Sequence, residues 1–351
     1  MSLLRVRHAL PEGLLHLDAT QLHARLGGPT LIHLPGEREP ALFVSVLMHG
    51  NETTGWDAVR RLLQRYQGAE GPDLPRALSL FIGNTEAAAE GLRHLPGQPD
   101  FNRVWPGGEV ATGPEAETMR EVVERMAARG LFAAVDVHNN TGLNPHYACV
   151  NVLDWRALHL ATLFSRTVVY FTRPRGVASM AMAQLAPAVT LECGKVGQEH
   201  GTRHAEDYLE ACLHLAELPT HPVPAHDLDL FHTVAVVKVP PEVSFGFGEH
   251  GYDIDFYDEL ERFNFRELPP GTRWGRVNRA GGGVPLEVRD DRDREVADRY
   301  FEVSRGQLLL RQTVMPSMLT RDVAVIRQDC LCYLMERYPI QVPAPAAARE
   351  G

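Results

Sequence analysis

His49-Gly50-Asn51-Glu52 closes the apolar run Ala41-Leu42-Phe43-Val44-Ser45-Val46-Leu47-Met48. An imidazole and a carboxylate stand at i and i+3, with a glycine between them. One tight turn can aim a ring nitrogen and a carboxylate oxygen at the same point. Those are two of the three protein ligands of a catalytic zinc, whose fourth position stays open for water. His138 ends a second apolar run, Leu131-Phe132-Ala133-Ala134-Val135-Asp136-Val137, and Glu192 ends a third, Pro187-Ala188-Val189-Thr190-Leu191.

A histidine or glutamate after a strand is, taken singly, more often a structural or surface residue. The recurrence carries the reading. In open α/β sheets, ligands bind at the carboxyl ends of the strands. If these strands are parallel neighbours, the three groups meet on one rim. The expected metal ligands are then His49, Glu52 and His138, two imidazoles and a carboxylate of the kind that holds one hydrolytic zinc per chain. Zinc lowers the pKa of its water to ~7, so hydroxide is available at neutral pH. Glu192 is expected to be the general base, carrying the water's proton to the leaving nitrogen. Asp136, two residues before His138, is placed to orient that imidazole.

The elements that must position these residues follow from periodicity. Strands are expected at Ala41–Met48, Ala77–Ile82, Leu131–Val137, Tyr147–Leu153, Thr167–Phe171 and Pro187–Leu191. Between them, Trp56, Val59, Leu62, Leu63 and Tyr66 form an apolar helix stripe. Thr112 and Glu115 read as a capping box for a helix with Pro114 in its first turn and Gly130 as its stop. Asp154 reads as the cap of Trp155–Phe164, and Arg203–Leu218 as a third helix. The alternation implies an α/β sandwich with a central mixed, largely parallel sheet. The proline-rich stretch Leu218–His226 reads as a linker. Beyond it the chain is strand-like, at Thr233–Val239, Leu286–Val288, Gln307–Val314 and Asp322–Arg327, with turns at Pro269-Pro270-Gly271 and Gly281-Gly282-Gly283. A smaller β-rich C-terminal domain is expected there, followed by an extended or disordered tail over 342–348.

Composition narrows the function classes. A chain of 351 residues suits roughly two domains of ~150 residues. The net charge of -10, from 35 Lys+Arg and 45 Asp+Glu, argues against nucleic acid or an anionic membrane as partner. It does not oppose an anionic small substrate, since a pocket's local charge can differ in sign. No apolar stretch reaches the ~18 residues of a membrane span, and the N-terminus lacks a signal-like core. Five cysteines, odd in number and sparse, fit a reducing cytoplasm. Cys330 and Cys332 read as packed core residues on one strand face. Nothing in the sequence opposes a homo-oligomer.

His49-Gly50-Asn51-Glu52, the spaced His138 and Leu191-Glu192-Cys193-Gly194-Lys195 together resemble the zinc-dependent succinylglutamate desuccinylase/aspartoacylase family, a branch of the metallocarboxypeptidase superfamily. The resemblance runs from about residue 41 to 200 and more loosely beyond. It implies a zinc-carboxypeptidase-like sandwich, with a zinc hydrolase catalytic domain over 1–218 and a β-rich domain over 219–351 bordering the active-site entrance. It extends to Gly83-Asn84, Gly91-Leu92-Arg93 and Asp100-Phe101-Asn102-Arg103. By this likeness Arg93 polarises the scissile carbonyl, and Asn102 and Arg103 clamp a substrate carboxylate. The implied activity is zinc-dependent hydrolysis of an N-acyl amino acid or a similar small amide bearing a free carboxylate. A carboxypeptidase acting on short peptides is the runner-up, and a catalytically silent binding relative the third reading.

The sequence also departs from the family. Aspartoacylase-type enzymes carry a further arginine shortly before the base-bearing strand. Here that stretch reads Ala178-Ser179-Met180-Ala181-Met182-Ala183-Gln184-Leu185, with Arg173 and Arg175 further back. Met180 and Met182 read as core residues, with an apolar subsite as the alternative. The polar run Asn139–Tyr147 is expected to line the pocket, with His146 or Tyr147 facing substrate. Glu199–His204 is not the zincin order, and the acidic run Glu249–Glu259 reads as a solvated or gating loop rather than a calcium site.

Overall fold

In a computed structural model, residues 1–67, 72–248, 250–279 and 283–339 are described. The expected tail over 342–348, the Gly281-Gly282 turn and Glu249 lie outside them. A 12-stranded sheet forms the centre. Its order is Arg5–Arg7, Thr30–Leu34, Leu78–Ile82, Ala41–Val46, Leu131–His138, Ala188–Glu192, Tyr147–Val150, Thr167–Tyr170, Asp229–Lys238, Cys332–Arg337 and Met315–Ser317, with Glu287–Asp290 also paired to Asp229–Lys238. A separate 5-stranded sheet is built from Phe245–Phe247, Ile254–Phe256, Arg273–Val277, Gln307–Leu310 and Phe301–Ser304.

The pairings that matter for chemistry are parallel. Ala41–Val46 lies against Leu131–His138, which lies against Ala188–Glu192 with His138 opposite Glu192. Tyr147–Val150 then adds antiparallel, placing Tyr147 opposite Glu192 on the same rim. The central strands are buried on both faces because helices cover both. On one face, helix Thr54–Gln64 buries Trp56, Val59, Leu62 and Leu63 beside helix Glu199–His214, which buries Tyr208, Leu209, Cys212 and Leu213. On the other, helix Pro114–Arg129 and the short helix Ala178–Met182 pack Met119, Val122, Met126 and Met182 onto Phe43 and Phe81. Each fully buried side chain of this size contributes ~1.5–3 kcal/mol, so the stripes hold the helices in place.

Local signals hold at several ends. Asp154 accepts a hydrogen bond from Arg156 N at the start of Trp155–Thr162. Pro114 opens its helix and Gly130, at φ 80, ends it. Elsewhere the structure differs from expectation. The Thr112/Glu115 capping box does not form, because Gly113 holds the cap position without a side-chain bond. The third helix starts at Glu199 and ends at His214. Strands Arg5–Arg7 and Thr30–Leu34 were not expected. Asp322–Arg327, read as a strand from its β-branched residues, is a helix over Val323–Gln328. The Asp322 carboxylate accepts from Ala324 N and Val325 N, and this cap outweighs β propensity. Past the proline-rich stretch, Asp229–Lys238 pairs with Thr167–Tyr170, so the large sheet continues through it.

Candidate active site

The His49 turn is shaped by two backbone features. Leu47 takes a left-handed φ of 56, which ends the strand sharply. Gly50 lies so close to the next segment that a Cβ there would sit 2.3 Å from Ala88 N and 2.4 Å from Ala87 C. Gly50 N donates to Arg93 O at 3.0 Å. The same glycine therefore brings His49 and Glu52 onto one side and ties them to the Arg93 segment.

Glu52 divides its carboxylate between two imidazoles. Oε1 lies 2.7 Å from His49 Nδ1, and Oε2 lies 2.7 Å from His138 Nδ1. Asn139 N also donates to Oε2 at 3.1 Å. One potential ligand atom from each of His49, Glu52 and His138 falls within 4.8 Å of the others, and all three residues are buried. Each imidazole uses its remote nitrogen on a carboxylate. His138 Nε2 lies 2.8 Å from Asp136 Oδ2, and His49 Nε2 lies 3.1 Å from Asp100 Oδ1. Ser45 Oγ donates to Asp136 Oδ1 at 2.7 Å and holds that carboxylate in turn. Metal-binding histidines are characteristically oriented through the remote ring nitrogen in this way. The donor set therefore fits a divalent cation.

The buried charges perturb one another. Burial opposes ionisation of Glu52, but His49 and His138 outweigh it and hold the carboxyl well below its usual range. Burial likewise works against a charged His138, and Asp136 and Glu52 overcome it, raising the imidazole. Glu192 is different. Burial pushes its carboxyl up to about 8, against the pull of His138. Its hydrogen-bond partner is Asn140 Nδ2, at 3.5 Å. A carboxyl poised near neutral pH suits proton transfer.

These residues open on a cavity of about 90 Å³ lined by His49, Glu52, His138, Glu192, Arg93, Asn102 and Arg103. All the candidate site residues thus meet in one place. Within it, Asn102 Nδ2 sits 3.3 Å from His138 Nε2, and its Oδ1 accepts from Ala178 N. Arg93 Nη2 donates to Asp100 Oδ2 at 3.0 Å and to Asp329 Oδ2 at 3.3 Å. Arg103 Nη2 donates to Asp329 Oδ1 at 2.8 Å, while its Nη1 donates to Asn102 O.

The apolar wall is made by Cys149, Val169, Phe171, Val177 and Met318. Of the polar run after His138, Asn139 and Tyr147 line this cavity and His146 does not; its ring stacks on His200 and His204. Met182 is a core residue of the Pro114–Arg129 face, and neither it nor Met180 lines the cavity. Arg173 reaches the cavity wall, whereas Arg175 faces a neighbouring depression. Tyr252 borders a different, larger hollow, and Tyr257 donates to Gln307 Oε1.

Sequence reasoning passed over Thr233, Ser317, Met318, Asp329 and Tyr333, which close the cavity from the C-terminal part. No motif marks them: Thr233, Ser317 and Tyr333 arrive on paired strands, Met318 just past one, and Asp329 at the end of helix Val323–Gln328. Asp100 had a signal: it stands two residues before Asn102 in a segment already singled out.

Residues 38–216 match the succinylglutamate desuccinylase/aspartoacylase catalytic domain. Among solved structures, the fold is similar to succinylglutamate desuccinylase from Chromobacterium violaceum, with 18% identity, a TM-score of 0.57 and 89% of each chain covered. Murine aminoacylase 3 is similar at 14% identity and a TM-score of 0.54, over 86% of this chain and 97% of that one. A succinylglutamate desuccinylase/aspartoacylase from Rhodobacter sphaeroides gives 14% and 0.54, over 87% and 88%. No curated sequence matches the chain. Among the described residues, no helix is long and apolar enough to cross a membrane. With more than half of its length matched to that catalytic domain, the chain belongs to the succinylglutamate desuccinylase/aspartoacylase family.

Proposed function

We propose that the protein is a zinc-dependent amidohydrolase that cleaves the amide bond of a small N-acyl amino acid or similar amide carrying a free carboxylate. The observation that carries this reading is the convergence of a His49–Glu52–His138 donor set, a buried Glu192 and the Arg93 guanidinium on one small cavity. Its structural relatives, a desuccinylase and an aminoacylase, point the same way.

His49, Glu52 and His138 would hold the zinc, which when bound supplies a Lewis acid and a water acidic enough to deprotonate near neutral pH. Glu192, opposite His138 on the neighbouring strand, takes the water's proton and returns it to the leaving nitrogen. Arg93, with Nη1 3.7 Å from Glu52, faces the carbonyl oxygen as negative charge develops there. Arg103, with Asn102 beside it, receives the substrate carboxylate.

Cavity shape favours this over a peptidase. A cavity volume of about 90 Å³, with Ser317, Met318, Asp329 and Tyr333 in the lining, suits a small molecule rather than an extended peptide. An activity screen over N-acetyl, N-succinyl and longer acyl amino acids, with acidic and apolar side chains, tests the reading. Release of free amino acid with one equivalent of zinc supports it. A protein without stoichiometric zinc, in which Glu192→Gln changes no hydrolysis, overturns it.

A further inference from the structure

Asp329 is the carboxylate partner of Arg103 among the described residues, and it reaches Arg93 as well. It comes from a segment 226 positions away, at the end of helix Val323–Gln328. Its side chain is 21% exposed and borders the metal-site cavity and both neighbouring hollows. Arg103 uses one donor of each terminal nitrogen, Nη2 on Asp329 and Nη1 on the Asn102 carbonyl. Arg93 already carries Asp100 besides Asp329.

We propose that Asp329 is a specificity-determining residue: its carboxylate holds, in the free protein, the place on Arg103 that a substrate carboxylate takes. Binding is then an exchange of one carboxylate for another. This rests on the reading of Arg103 as the carboxylate clamp. Simple addition is disfavoured, since a substrate carboxylate would join Asp100 and Asp329 around two guanidinium groups, and like charges at this range repel strongly. Exchange conserves the charge count, because a guanidinium loses one carboxylate and gains another of the same geometry.

The segment carrying Asp329 is suited to withdraw. Val323, Ala324, Arg327 and Gln328 are exposed, and Ile326 is the buried residue of the helix. Arg327 anchors the helix to the carbonyls of Val239, Pro240 and Val243, none of which lines the metal-site cavity. The cost of release selects for ligands that present a full carboxylate to Arg103. A neutral amide in that position cannot displace Asp329.

The test is calorimetric titration of zinc-loaded Glu192→Gln protein, with and without Asp329→Asn, using N-acetylglycine and its carboxamide as probes. Asp329→Asn is expected to tighten N-acetylglycine about tenfold, as for loss of one competing charged hydrogen bond, and to leave the carboxamide unchanged. The gain is expected to vanish in an Arg103→Ala background. Independently, hydrogen exchange over 323–330 in the zinc-loaded Glu192→Gln protein is expected to rise on adding N-acetylglycine. Equal or weaker carboxylate binding in the Asp329→Asn protein overturns the proposal, as does no binding to either protein. Tighter carboxylate binding by Asp329→Asn, in a chain that hydrolyses no N-acyl amino acid, removes the amidohydrolase reading and leaves this one standing.

Discussion

His138 Nε2 lies 2.8 Å from a carboxylate oxygen of Asp136, two residues earlier on the same face of one strand. The pair sets which nitrogen of His138 points at Glu52. Asp136→Asn is expected to weaken zinc binding by ~10–100-fold while the protein stays folded. Competition with a chromophoric chelator measures this. An unchanged affinity would show that the imidazole does not depend on Asp136 for its orientation.

Glu192 gives two separable outcomes. Under its proposed role as the base, replacement by Gln is expected to lower kcat by ~10²–10⁴ with zinc retained. Metal analysis beside steady-state kinetics decides whether loss of activity is loss of zinc.

The pH dependence of stability in the zinc-free protein carries a definite sign. Burial raises Glu192 from the usual 4.5 to about 8. A raised carboxyl contributes stability that is fully present below pH 4.5 and is lost as pH climbs through about 8. Glu192→Gln removes that loss. Its stability relative to wild type is expected to grow by about a few kcal/mol between those limits and then level off. Urea unfolding at a series of pH values reads the difference, and a flat difference would contradict the shift.

Arg93 and Arg103 are expected to separate kinetically. If Arg93 donates to the developing oxyanion as proposed, Arg93→Ala is expected to lower kcat by ~10²–10³. Arg103→Ala is expected to act mainly on KM, since its proposed contact is with the substrate carboxylate, which does not react. The opposite partition, with Arg103 controlling kcat, would exchange the two roles.

Gly50→Ala tests the turn itself. The added methyl would meet the Ala87 and Ala88 backbone at 2.4 and 2.3 Å, and neither can move without shifting helix Thr85–Ala89. The expected loss is ~1–3 kcal/mol with weakened zinc binding, since His49 and Glu52 move with the glycine. Wild-type stability and metal affinity in this variant would show that the close approach is dispensable.

Much of the fold was legible in the sequence because the central strands are short apolar runs between helical stripes. Trp56, Val59, Leu62 and Leu63 recur at helical spacing, and all four are buried. The misreading of Asp322–Arg327 has an identifiable cause: Val323, Val325 and Ile326 carry strand propensity, while one aspartate cap and a buried Ile326 decide for helix. Arg5–Arg7 was missed because three residues hold no periodicity to read.

What the sequence by itself determined is local. It places His49 and Glu52 in one turn, and it sets His138 and Glu192 at the ends of apolar runs, where a parallel sheet gathers them. The tertiary structure decided which groups face those residues. Asp100 reaches His49 across 51 positions, and Asp329 reaches Arg103 across 226. The physical reason is that periodicity and turn chemistry act over a few residues. Pairing of buried charges depends on which strands become neighbours, and that is settled by packing of the whole chain.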